Sequence, residues 1–89
     1  MLEQQLLVSN RLGLHARAAA KLAHLLGGFR ATAMLAFRNR SVNAKSILGL
    51  MTLAAPLGSE LQLTLDGRDE AEALAAVLDL FARRFDEPD

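Results

Sequence analysis

Two periods run through the chain, and together they predict most of its elements. Glu60-Leu61-Gln62-Leu63-Thr64-Leu65 alternates polar and apolar without a fault, which predicts a strand with one buried face. From Ala16 to Leu26 the period is helical. Ala19, Leu22, Ala23 and Leu26 fall on one face, and Gly27-Gly28 stops the helix. Leu74, Val77, Leu78, Phe81 and Phe85 form a second helical stripe, with Asp69, Glu70 and Glu72 at its positive end and Arg83 and Arg84 at its negative end. Glu3 to Val8 is a weaker strand pattern, while Ala31 to Phe37 and Ser41 to Asn43 read as two short strands around a turn at Asn39-Arg40. Ser46 is a suitable N-cap for a short apolar helix from Ile47 to about Leu53. Pro56-Leu57-Gly58 breaks the chain after it, and Asp66-Gly67 forms a turn. The order is β-α-β-β-α-β-α, which predicts an α+β fold: an antiparallel sheet with helices over a single face.

Composition narrows this further. Residues 1–89 make one domain, and 52% hydrophobic residues supply a core without a metal or cross-link. There is no cysteine, which removes disulfides, thiolate zinc sites and cysteine nucleophiles. Ten basic and ten acidic residues cancel, so no net field draws the chain to nucleic acid or anionic lipid. With no tyrosine or tryptophan and only four scattered phenylalanines, there is no base-stacking platform. The N-terminus lacks the basic start and apolar stretch of a signal peptide, and the run from Ile47 to Leu57 is too short to span a bilayer. A cytoplasmic protein without membrane insertion is the expectation.

The segment Asn10-Arg11-Leu12-Gly13-Leu14-His15-Ala16-Arg17-Ala18-Ala19-Ala20 carries the candidate chemistry. His15 falls where the first helix should have its N-cap, a position that favours asparagine, aspartate, serine or threonine. A rule broken locally in this way marks a candidate functional site. A phosphoryl group on the imidazole would lie over the free N–H groups of the helix start, an anion site reinforced by the Arg17 guanidinium. The same field favours a neutral, nucleophilic ring. Gly13 allows a sharp turn that leaves the ring open to a partner. On this chemistry alone, a histidine that merely fills a helix start remains an equal reading.

Gly13-Leu14-His15-Ala16-Arg17 and Asn43-Ala44-Lys45-Ser46-Ile47-Leu48-Gly49-Leu50-Met51, at their separation, resemble the two signature blocks of the HPr family, the phosphocarriers of the sugar phosphotransferase system. The resemblance covers nearly the whole chain. It implies an open-faced β-sandwich of four antiparallel strands with three helices on one face. It also implies that Nδ1 of His15 takes a phosphoryl group from enzyme I, charged by phosphoenolpyruvate, and passes it to a histidine of an EIIA domain. Arg17 would support the phosphoryl group, and no cofactor or metal is implied. The chain would be a carrier modified and discharged once per transfer, not an enzyme. One departure is Ala18, where the family usually has proline; alanine keeps an N–H that proline lacks, and a looser site that still works is expected.

By the same resemblance, Ser46 is a regulatory phosphorylation site for an ATP-dependent HPr kinase/phosphorylase, in addition to being a helix cap. Ala16, Arg17, Ala20, Ile47, Leu48 and Met51 would form the partner-binding face. The helix holding the last three is apolar almost all round, so Leu50 and Leu53 pack inward and the opposite side is left as a docking patch or as further core. His24 lies nine residues after His15, roughly on the opposite side of the helix, and reads as a surface residue. No residue set has zinc spacing. Asp66 with Asp69 reads as a turn and a helix start, and Asp86 with Glu87 and Asp89 as a frayed tail. The expected carrier is a monomer. Alternatives are a paralogous carrier in a nitrogen-regulatory relay, a regulatory binding module of the same fold that carries no phosphate, and an unrelated ferredoxin-like domain.

Overall fold

The computed structural model describes residues 1–88. The chain runs β1 (Leu2–Leu7), α1 (Ala16–Gly27), β2 (Thr32–Phe37), β3 (Arg40–Asn43), α2 (Ile47–Leu53), β4 (Glu60–Asp66) and α3 (Glu70–Ala82). The four strands form one sheet in the order β1-β4-β2-β3, with every pair antiparallel. The expected order and sheet type are both found.

The faultless alternation of β4 explains its place inside the sheet. Leu61, Leu63 and Leu65 all point to the covered face, and the register sets Leu6 opposite Leu61, Leu35 opposite Leu63 and Ala33 opposite Leu65. The three helices close over this face. Leu22 and Leu26 of α1, Leu50 and Leu53 of α2, and Val77, Leu80 and Phe81 of α3 are buried against it. The other face, with Glu3, Gln5, Thr32 and Met34, stays open to solvent.

Helix α2 spans the expected residues. Its cap is the expected one too, since Ser46 Oγ accepts from the Gly49 N–H at 3.0 Å. Three other expectations need correction. The hairpin turn is Arg38-Asn39, because Phe37 pairs with Arg40, and Arg38 takes the left-handed φ of 57°. The inward stripe of α3 passes through Ala73, Val77, Leu80 and Phe81, and Leu78 is exposed. With leucine on both sides of this helix, the apolar period alone could not select Leu80 over Leu78. Helix α3 also ends at Ala82, so Phe85 reaches the core from outside it and packs against Phe81 in a tilted pair with ring centroids 4.9 Å apart. Asp69 does not cap its helix. Its carboxylate accepts the N–H groups of Arg30 and Ala31 at 2.7 and 2.8 Å, which ties α3 to the loop before β2 and holds the carboxyl below its ordinary pKa.

The loop between β1 and α1 is fixed by a close approach. Gly13 has φ 69°, and a Cβ there would meet Ala55 O at 2.5 Å and Pro56 Cα at 2.9 Å. Gly13→Ala combines left-handed strain with backbone overlap, so it should cost about 2–4 kcal/mol in urea denaturation. A loss below roughly 0.5 kcal/mol, the scale of an inconsequential surface change, would contradict the contact.

Candidate functional site

Helix α1 begins without a side-chain cap. His15 stands at the N-cap in extended backbone (φ −79°, ψ −179°), and its ring makes no capping hydrogen bond. The first bond of the helix runs from the Ala19 N–H to His15 O at 2.8 Å, so the N–H groups of Ala16, Arg17 and Ala18 lie outside the helical ladder. They form a patch of unspent donors at the positive end of the helix. Leu14 anchors this start: its side chain is buried, and its N–H donates to Ala55 O at 2.8 Å, just past the end of α2.

The C-terminal tail is part of this site, contrary to its reading as a frayed end. After α3 the backbone makes one turn with three consecutive positive φ values: 55° at Arg84, 58° at Phe85 and 59° at Asp86. That turn drives Phe85 into the core and returns the chain toward α1, where Lys21 Nζ donates to Phe85 O at 2.5 Å. Glu87 then reaches the start of α1, with Oε2 2.6 Å from His15 Nε2. The fully buried Asn10 supports it: Nδ2 donates to Gly13 O at 2.7 Å and to the two Glu87 oxygens at 3.1 and 3.3 Å.

The His15 side chain keeps 27% of its surface exposed, whereas Glu87 keeps 11%. Burial pushes the Glu87 carboxyl up. The hydrogen bonds from His15 and Asn10 and the charges of His15 and Lys21 outweigh it, so the net displacement is below the ordinary value. The other ring nitrogen, Nδ1, makes no hydrogen bond among the described residues. Sequence reasoning missed Glu87 and Asn10 because no local pattern joins positions so far apart in the chain. Asp89, grouped with the tail, lies outside the described residues.

The remaining candidates divide among three adjoining clefts. One is lined by His15, Arg11, Leu12, Arg17 and Glu87, and another by His15, Ala16, Leu12, Met51 and Ala54. The third is lined by Arg17, Ala20, Lys21, His24 and Ile47. Leu48 and Ser46 line none of these clefts. Arg17 is exposed and makes no side-chain hydrogen bond or ion pair among the described residues. Ile47, Leu48 and Met51 are 40%, 76% and 41% exposed, so they form a surface patch, and the exposed Leu12 extends it toward His15. His24 is exposed.

A family model described as the PTS HPr component phosphorylation site matches residues 2–83. The chain belongs to the HPr family. Like other HPr chains, it is a phosphocarrier of the phosphotransferase system. A phosphocarrier protein HPr of Xylella fastidiosa is 48% identical over 87 residues, covering 98% of both chains. A phosphocarrier protein NPr of Shewanella violacea is 41% identical over 86 residues, covering 97% of this chain and 94% of that one. The solved HPr-C-His structure of Thermoanaerobacter tengcongensis superposes with a TM-score of 0.95 at 37% identity, over 100% of both chains.

The lowered pKa of Glu87 sets a test of its contact within the HPr fold. A depressed native value means that the charged carboxylate stabilises the fold above the unfolded value of about 4.3 and that this contribution is lost as the pH falls through the native value. Glu87→Gln should therefore be less stable than wild type at neutral pH. The two denaturation curves should converge under acid; a difference that persists there would place its origin outside the carboxylate charge.

Proposed function

We propose that the chain carries a phosphoryl group on Nδ1 of His15, taken from enzyme I and delivered to EIIA domains in sugar uptake. The observation that carries this reading is the unused helix start: Nε2 is engaged by Glu87, Nδ1 has no partner among the described residues, and three main-chain N–H groups stand outside the helical ladder beside it. The reaction asks little more of the protein. A positioned nucleophile attacks phosphorus, and the donors and the Arg17 guanidinium receive the charge of the phosphoryl oxygens. Ala18 contributes a donor that proline would not. The carrier acts in the cytoplasm as a monomer, with no cofactor.

Docking of partners falls to Ala16, Arg17, Ala20, Ile47, Leu48 and Met51. A small apolar patch rimmed by arginine and lysine suits partners that bind briefly and leave. Ser46 serves as a second, regulatory acceptor for an HPr kinase/phosphorylase. The second reading, a carrier in a nitrogen-regulatory relay, is favoured by the NPr relative, although that relative is less similar than the HPr of Xylella fastidiosa. Charging by purified sugar-type and nitrogen-type enzyme I, compared as kcat/KM, separates the two.

The first experiment mixes the protein with enzyme I, magnesium and labelled phosphoenolpyruvate. Label should be acid-labile and alkali-stable, and His15→Ala should abolish it while leaving the fold intact; any transfer that survives this substitution sinks the assignment. Met51→Glu should weaken binding to enzyme I with a stability change within about 0.5 kcal/mol, because Met51 lies at the surface. Ser46→Asp should slow charging through charge repulsion at the docking surface, so its penalty should shrink in high salt. A penalty that salt leaves unchanged would refute the electrostatic account.

A further inference from the structure

The tail turn, the buried Asn10 and the short contact to Nε2 together give His15 a partner that neither sequence block contains. We propose that Glu87 is a positioning residue for phosphoryl transfer: it holds His15 through the Nε2–H, directs Nδ1 as the nucleophile, and balances the positive ring that forms when Nδ1 is phosphorylated. This rests on the phosphocarrier reading.

A carboxylate oxygen can only accept, so a 2.6 Å contact with a neutral imidazole requires the ring proton to sit on Nε2. The Nδ1 lone pair is then free to attack. In charging, Nδ1 forms a bond to the phosphorus of the donor, and the bond between phosphorus and the donor breaks with its electron pair leaving on the donor. The His15 ring becomes an N-phosphoimidazolium that still carries its Nε2 proton and hydrogen-bonds to Glu87. In delivery, the Nδ1–P bond breaks, its electron pair returns to Nδ1, and the ring departs as neutral imidazole. No proton needs to move in either direction. If Nε2 lost its proton first, the leaving group would be an imidazolate, which is far poorer. The arrangement parallels a carboxylate that fixes a catalytic histidine's tautomer and stabilises its cation.

The geometry fits a built contact. Asn10 is fully buried and donates to both Glu87 oxygens, so the carboxylate is held from behind while it faces the ring. The left-handed φ values of residues 84–86, each normally unfavourable for a residue with a Cβ, are held by the buried Phe85 and the Lys21 bond. The other charged groups around the pair are Arg11 on the loop before α1 and Arg17 and Lys21 on α1, all cationic. Glu87 is the acidic group that faces the ring among the described residues.

The test compares wild type, Glu87→Gln and Glu87→Ala as full chains. Nitrogen and proton NMR of the unphosphorylated His15 ring reads the contact without any transfer. A slowly exchanging, downfield Nε2 proton should be present in wild type, be kept in part by the glutamine oxygen, and be lost in the alanine variant. The phosphorylated proteins are then followed for transfer to EIIA and for hydrolysis across pH. Both variants should transfer roughly tenfold more slowly at neutral pH with the KM for EIIA unchanged, the scale of losing one charge-assisted hydrogen bond to the ring. Their hydrolysis profiles should move to lower pH. Transfer rates and profiles within about twofold of wild type in both variants would overturn the proposal. So would a ring-proton signal identical in wild type and the alanine variant. If wild type takes no phosphoryl group, the phosphocarrier reading fails, and the ring signal still decides whether Glu87 positions His15. Amide spectra confirm folding, and the glutamine variant preserves the side-chain volume should alanine loosen the tail.

Discussion

The hydrogen bond from the Leu14 N–H to Ala55 O joins the loop that starts α1 to the chain just past the end of α2. It forms only because Gly13 lets the loop lie against Ala55 and Pro56 with no Cβ between them. From that point α1 and α2 run over the same face of the sheet, where Leu22, Leu26, Leu50 and Leu53 share one core, and each brings something the other lacks. The first helix supplies an uncapped start and the His15 ring; the second supplies apolar side chains that the core does not need. Had the loop been looser, His15 would still cap nothing, but it would not stand beside the exposed apolar side chains of α2.

The elements legible in the sequence are those whose information is local. Strand β4 was visible because its alternation matches the pleat. Helix α2 was visible because Ser46 caps it and Leu50 and Leu53 need burial. The face of α3 was legible through Val77 and Phe81, which are buried, and Leu74, which packs against the core, but Leu78 is exposed and the sheet buries Leu80 instead. The hairpin turn slipped by one residue because Arg38 adopts a left-handed φ without being glycine or asparagine.

The candidate site divides in the same way. His15 was visible as a broken capping rule, and its resemblance to a signature block supplied a role for Arg17. Glu87 and Asn10 were invisible. Their meeting depends on three successive left-handed residues, none of them glycine, and on the anchor Phe85, which the helical period includes but which lies beyond the end of α3. Charge reasoning also fell short, because the helix start alone suggested a purely positive field around the ring, while the fold adds a carboxylate drawn from the far end of the chain. Tertiary structure thus changes the electrostatics around His15 without altering any residue near it in sequence.

The uncovered face of the sheet has a practical consequence. Glu3, Gln5, Thr32 and Met34 project away from the helices, on the face of the sheet that the helices leave uncovered. The chain contains no thiol of its own. A cysteine introduced at Gln5 would therefore be a unique attachment point for a fluorophore or spin label, separated from the helices by the full thickness of the sheet. Association with partners and discharge of the carrier could then be followed in real time from a position that takes part in neither.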